Sequence, residues 1–239
     1  MGEYQLSRAQ KSTIFERTDM KKLVKELTPP IIWRLARRTY YRAKSGWIIG
    51  QERGAEFYNQ TFLASEHVQN HYTKSSYYPM WTILADRIMK SGITSILDIG
   101  CGTGQFASFL QDKGLLQYLG IDFSVECIQQ ARNICPEFNF MISDVFETDL
   151  LSTQDYDAVV CLEFLEHIKR DLEILDQIRS GTIFFGTVPN FPSKAHVRHF
   201  KNAQQVFERY EKKFQNFTVD THLANATGTL FFLMEGVKI

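Results

Sequence analysis

Three glycines at alternate positions, Gly100, Gly102 and Gly104, break an apolar run at Ser95-Ile-Leu-Asp-Ile99 and lead into Gln105-Phe-Ala-Ser-Phe-Leu-Gln. Ile96, Leu97 and Ile99 are β-formers in a short apolar stretch, which predicts a buried strand ending in a tight turn. Glycine accepts positive φ and lets a ligand come close to the backbone. Phe106, Phe109 and Leu110 then recur at helical spacing. Strand, glycine loop and helix N-terminus together make a nucleotide cradle, because the free N–H groups of a helix start favour a polar or anionic ligand.

Partners at the right distance narrow that ligand. Gln117-Tyr-Leu-Gly-Ile-Asp122 reads as a second strand tipped by a carboxylate about 20 residues past the loop, where an acid can hold both hydroxyls of a ribose. The competing role for Asp122 is a helix cap, since Ser124-Val-Glu-Cys-Ile opens a helix. Phe138-Asn-Phe-Met-Ile-Ser-Asp144 is a third strand, Asp155-Tyr-Asp-Ala-Val-Val-Cys-Leu-Glu163 a fourth, and Thr182-Ile-Phe-Phe-Gly-Thr-Val-Pro189 a fifth. The fourth is almost continuously apolar, as a strand covered on both faces should be. Asn202 to Tyr210 is helical, and Phe217 to His222 and Thr229 to Ile239 form a terminal antiparallel pair. Alternation of strand and helix from 94 to about 210 predicts a doubly wound α/β fold with seven strands, mostly parallel.

The loop does not follow the dinucleotide fingerprint Gly-x-Gly-x-x-Gly/Ala, because Gln105 stands at the last position. Asp98-Ile-Gly-Cys-Gly-Thr-Gly104 instead resembles motif I of the class I S-adenosylmethionine-dependent methyltransferases. That resemblance covers roughly residues 55 to 239 and implies a Rossmann-like sheet with S-adenosylmethionine as cofactor. It assigns the cofactor to Asp98, Gly100, Cys101, Gly102, Gly104 and Gln105, with Asp122 on the ribose and Phe123 as a wall for the adenine. Ser143-Asp-Val-Phe146 resembles the family's adenine site, giving Asp144 and Val145 that role, against the alternative of a loop aspartate starting a turn. Leu162 and Glu163 end a strand that resembles motif IV.

Glu163-Phe-Leu-Glu166-His167 resembles the Glu-x-x-Glu-His of ubiquinone-type and related small-molecule enzymes. The resemblance implies a methyl acceptor near His167, whose ordinary pKa suits a general base at neutral pH. His196 and His199, after the Pro189-Asn loop at the same mouth, are alternative bases; Arg198 is a candidate for an acidic group of the acceptor, and Tyr72, Tyr77 and Tyr78 for an aromatic lid. Glu163, Glu166 and His167, with His196 or His199 added, also resemble the metal site of RNA 3′-terminal 2′-O-methyltransferases. The same cluster occurs in metal-free relatives, and the expectation is a site without metal.

Charge is uneven. Residues 21–44 hold eight Lys/Arg and one acid, Glu26, a local excess of +7, while the chain as a whole is neutral and residues 1–20 balance. The remainder therefore carries −7. Residues 1–54 read as a basic helical extension and linker, residues 55–239 as the catalytic domain. The helix from Ile31, with Trp33, Tyr40 and Tyr41 among Arg34, Arg37, Arg38 and Arg42, suits packing on the body or an anionic membrane surface. Lys22-Leu-x-x-x-Leu-x-Pro-Pro30 and this helix resemble bacterial enzymes that modify surface glycans or lipid-linked sugars, which implies a sugar hydroxyl as acceptor.

The four cysteines lack Cys-x-x-Cys spacing, and no apolar run approaches a spanning length of about 18 residues. The expected location is cytoplasmic, with peripheral contact at the inner membrane face. Three rivals stand beside a small-molecule methyltransferase. An RNA 2′-O-methyltransferase is opposed by the acidic body, which repels phosphate, and nucleic acid is not the expected partner. A NAD-dependent oxidoreductase is opposed by Gln105. A cofactor-binding scaffold without catalysis is the third.

Overall fold

The computed structural model describes residues 50–63, 70–225 and 228–239. The basic helices expected between 21 and 44, with their membrane contact, lie outside these residues. Seven strands form one sheet: β1 (Ser95–Ile99), β2 (Gln117–Asp122), β3 (Asn139–Ile142), β4 (Ala158–Leu162), β5 (Ile183–Pro189), β6 (Phe214–Leu223) and β7 (Leu230–Lys238). Their spatial order is β3-β2-β1-β4-β5-β7-β6. The first five run parallel, and β7 pairs antiparallel with both β5 and β6. The expected mostly parallel sheet with a C-terminal antiparallel hairpin is therefore present.

Side chains alternate between two cores, as the period of a strand requires. Ile96, Val160 and Phe185 join Trp81, Leu84, Phe106, Phe109 and Ile128 on one face. Leu97, Ile99, Val159 and Phe184 join Leu151, Ile174, Leu175, Val206 and Tyr210 on the other. The first face carries α2 (Tyr78–Lys90), α3 (Gln105–Asp112) and α4 (Val125–Ile134). The second carries α5 (Leu150–Thr153), α6 (Asp171–Gln177) and α7 (Ala203–Tyr210). An additional helix, α1 (Ala55–Leu63), precedes them. Helix starts follow local chemistry: the Ser124 hydroxyl accepts the Cys127 N–H, and Asn202 Oδ1 accepts the Gln205 N–H. All four cysteines are buried free thiols, and no helix among the described residues is long and apolar enough to cross a membrane.

Strand order reverses between β1 and β4, and a ligand in such a sheet sits beyond the carboxyl ends of the strands at that reversal. The glycine loop after β1 and the turn after β4 flank this point. The remaining strands bring their own ends to it, so residues distant in sequence meet there.

Candidate active site

The glycine loop is built by backbone contacts. Gly100 and Cys101 both donate their N–H groups to the Ile121 carbonyl, and Gly102 donates to Asp122 Oδ2 at 3.1 Å. Gly100, Gly102 and Gly104 all have positive φ, at 75°, 54° and 77°. Their surroundings differ. A Cβ on Gly100 would lie 2.3 Å from the Phe164 ring, and one on Gly104 would lie 2.9 Å from Ala131, whereas Gly102 has nothing within 4 Å. Gly100 and Gly104 thus permit close packing, and Gly102 opens onto free space in front of the loop. Gln105 is buried at the start of α3, its side-chain amide donating to the Asn70 carbonyl. Cys101 is buried against Gly120.

Asp122 uses Oδ1 to accept the Ser124 N–H at 2.9 Å and Oδ2 for Gly102. Ser124, not Asp122, is the cap of α4, and Asp122 links the glycine loop to the turn before that helix. Each carboxylate oxygen keeps a second lone pair for a hydroxyl. Phe123 lies beside it, and the Tyr58 ring is 5.5 Å from Phe123. Asp144 is exposed and closes a turn, with Oδ1 accepting the Phe146 N–H at 2.9 Å, while Val145 is buried. Open space before Gly102, with a carboxylate next to it, fits a ribose-bearing cofactor.

Asp98 lies beneath the loop, buried, and accepts the Tyr118 hydroxyl. Burial pushes its carboxyl up to about 7, partly opposed by the Tyr118 hydrogen bond and reinforced by Asp122. An unfolded aspartate titrates near about 3.9. Between those values the folded chain binds the extra proton, so the Asp98 contribution makes stability fall as pH rises from about 4 to about 7 and level off above. Asp98→Asn keeps an oxygen for Tyr118 and is expected to remove that share of the slope in thermal melts between about pH 5 and pH 8.

The other half of the site follows β4. Glu163 has φ 51° and donates its N–H to Thr187, turning the chain away from the strand. Positive φ in a residue other than glycine is strained and concentrates where function demands it. A single 3₁₀ turn, Leu165–His167, follows. Glu166 is fully buried, and neither of its carboxyl oxygens has a hydrogen-bond partner; Glu163 Oε1 has none either. Burial raises the pKa of both acids, Glu163 to about 8, and the proximity of Glu163 raises Glu166 further.

His167 Nδ1 lies 3.0 Å from the Ala195 carbonyl and 3.0 Å from the Tyr58 hydroxyl, and Nε2 lies 3.7 Å from Glu166 Oε1. His196 Nδ1 is 2.9 Å from the Phe191 carbonyl, and the two imidazoles sit edge to face at 4.7 Å. Burial, then the neighbouring His196, lowers His167 to about 4; burial likewise lowers His196. Donor atoms of Glu166, His167 and His196 all fall within 4.8 Å of one another. Of the three histidines named as candidate bases, His167 and His196 come together here, while His199 is exposed and outside the trio.

Two sequence assignments are corrected. Arg198 does not face an acceptor. Its guanidinium donates to the carbonyls of Leu165, Ile168 and Lys169 and lies 3.2 Å from Asp171, which is buried and also held by Arg209 and Tyr210. This clamp ties the histidine loop to the Glu166 turn, helped by Val197 and Arg198 N–H groups on the Glu166 carbonyl. Without the Arg198 guanidinium Asp171 still pairs with Arg209 and Tyr210, but the Leu165, Ile168 and Lys169 carbonyls lose their donor. Arg198→Ala is therefore expected to lower stability by about 1–3 kcal/mol, read from urea unfolding.

Tyr78 likewise packs into the core, against Phe109 at 5.4 Å and Tyr72 at 5.8 Å. The neighbouring residue, Tyr77, meets the same core through Trp81 at 5.8 Å and Phe231 at 5.4 Å, and burial followed by Glu163 and Glu166 raises its hydroxyl pKa. Phe231, Phe191 and His196 continue that line of rings. Tyr58 was missed in the sequence. Tyr58 stands in a plain helical stretch 109 residues from its partner, with no local pattern to mark it.

The doubly wound sheet thus brings to its switch point a glycine loop with the Asp122 carboxylate beside it and, after β4, a cluster of Glu166, His167 and His196. The methyltransferase domain family profile matches residues 46–227, and the chain belongs to that family, in its class I S-adenosylmethionine-dependent branch. Among curated relatives, a ubiquinone biosynthesis O-methyltransferase from Coxiella burnetii (strain Dugway 5J108-111) is 26% identical over 141 residues, or 55% of this chain and 59% of that protein. The chain thus matches less than two thirds of that relative's length.

Two solved structures share the fold. The N-methyltransferase NodS from Bradyrhizobium japonicum WM9, in complex with S-adenosyl-L-homocysteine, is 14% identical with a TM-score of 0.57, covering 75% of this chain and 96% of its own. Magnesium protoporphyrin IX methyltransferase from Synechocystis PCC 6803 is 15% identical with a TM-score of 0.58, covering 77% and 98%.

Proposed function

We propose that this protein transfers the methyl group of S-adenosylmethionine to a hydroxyl oxygen of a small molecule that carries a ring. When bound, the cofactor supplies an electrophilic methyl on a sulfonium, with its own leaving group. The protein's share is to orient the two partners, which is worth up to about 7–11 kcal/mol for well-aligned groups. Asp122 would hold the ribose, the loop from Gly100 to Gly104 the methionine portion, and Asp144 and Val145 the adenine.

The observation that carries the acceptor reading is the group of Glu166, His167 and His196 that follows β4 and β5 at the carboxyl edge of the sheet, with the half-buried Glu163 next to it. A hydroxyl must lose its proton on methylation, and this group offers the acceptors. The half-buried rings of Tyr77 and Phe191 favour a flat, apolar-bodied acceptor. The activity of the Coxiella relative, O-methylation in ubiquinone biosynthesis, agrees with an oxygen acceptor. A lipid-linked sugar, suggested by the N-terminal arm, remains a candidate within the same hydroxyl class. A methyl-transfer screen with hydroxyaryl quinone precursors, nucleotide sugars, lipid-linked glycans and a short RNA tests the reading. Methylation of a hydroxyaryl compound is expected; transfer only to an amine would overturn the oxygen assignment.

A second reading places a divalent ion among Glu166, His167 and His196. One feature favours it: both imidazoles face a backbone carbonyl through Nδ1, which leaves Nε2 as the lone-pair nitrogen in each. Metal-ligating histidines characteristically show this arrangement. An ion there would satisfy the unpartnered Glu166 and lower the pKa of a bound hydroxyl.

A further inference from the structure

Helix α1 touches both halves of the site. Asn59 Oδ1 accepts the Ser124 hydroxyl at 2.6 Å, two residues from Asp122. One residue earlier, the Tyr58 ring lies between Phe123, at 5.5 Å, and His167, at 5.8 Å edge-on. Its hydroxyl reaches His167 Nδ1 at 3.0 Å, the nitrogen that also faces the Ala195 carbonyl at 3.0 Å. A carbonyl only accepts, so Nδ1 carries the proton and the Tyr58 oxygen shares it. A half turn of the imidazole would put a carbon at both oxygens and forfeit both contacts. The two acceptors therefore fix the ring face as well as the tautomer.

We propose that Tyr58 is a positioning residue that holds His167 with Nε2 toward Glu166 and His196, and ties that orientation to the cofactor side of the cleft through Phe123. The tie rests on the methyl-transfer reading for what His167 does, but the orientation itself does not. Tyr58 is itself no base. Burial, followed by the charges of Glu166 and Asp122, raises its hydroxyl pKa, and those two acids belong to the two halves it spans.

Nitrogen-15 NMR of the histidine rings in the full chain tests this, with and without S-adenosylhomocysteine. The wild type is expected to show one His167 tautomer, protonated at Nδ1, whose signals shift when S-adenosylhomocysteine binds. Tyr58→Phe keeps the ring and loses the shared acceptor. Its Nδ1–H is expected to exchange with water about tenfold faster, with S-adenosylhomocysteine affinity within about twofold of wild type.

Tyr58→Ala also removes the ring, and the cofactor-induced shift at His167 should vanish while binding persists. Thr61→Ala, an exposed residue whose hydroxyl only caps the Phe57 carbonyl, should change neither signal. Wild-type His167 signals in both Tyr58 variants, or equal changes in Thr61→Ala, would overturn the proposal. If S-adenosylhomocysteine fails to bind the wild type, the methyltransferase reading falls instead, and the tautomer comparison in the free protein still decides the role of Tyr58.

Discussion

Asp122→Ala is expected to weaken S-adenosylhomocysteine binding at least about 100-fold. Two hydroxyls on one carboxylate make two charge-assisted hydrogen bonds, each worth about 1.5–3 kcal/mol, and each 1.4 kcal/mol is a factor of about ten in affinity. The substitution also removes the acceptor for the Gly102 N–H, the one glycine of the loop that opens onto free space. Asp122→Asn retains one acceptor oxygen and should fall between, near about tenfold. Isothermal titration reads all three proteins against S-adenosylmethionine, S-adenosylhomocysteine and NAD. Unchanged affinity in Asp122→Ala would remove the ribose role, and binding of NAD without the sulfonium would remove the main reading.

The parts of this site that were legible beforehand are those written in short-range pattern. Ser95 to Gln105 announces strand, turn and helix because glycine chemistry and apolar periodicity act within a few residues. Asp122 could be placed because it ends the next strand, and parallel strands bring their carboxyl ends to one edge. The same reasoning located Glu163 to His167 and the loop after Pro189.

What stayed hidden depends on rotation and on distant partners. Tyr77 and Tyr78 are adjacent at the start of α2 and both pack on the same core, but one residue of helical phase, about 100°, sets Tyr77 against Trp81 and Phe231 and Tyr78 against Phe109 and Tyr72. Asp171 decides the fate of Arg198, which lies in a loop 27 residues further on, while Asp171 opens α6. His196 and His199 look equivalent in sequence, but His196 closes a turn on the Ser193 carbonyl and is buried, while His199 remains exposed.

Glu166 carries the second large effect. A buried carboxyl without hydrogen bonds is costly, and a fold keeps one where something else will meet it. Two neutral imidazoles with Nδ1 on backbone carbonyls supply the partners a divalent ion needs. Titration of the chelator-treated protein with Co²⁺, followed by its visible absorption, is expected to give one bound ion per chain. Glu166→Gln should weaken that binding at least about tenfold, as loss of a ligand does, and His196→Gln should do the same.

His199→Gln, at an exposed position outside the trio, should leave it unchanged. S-adenosylhomocysteine affinity should hold within about twofold in all three variants, because the cofactor carboxylate belongs to β2 and not to this turn. Equal Co²⁺ binding in wild type and Glu166→Gln would remove the ion. His167 would then take the acceptor proton alone, and Glu166 would be a protonated acid whose pKa is raised by burial and by Glu163.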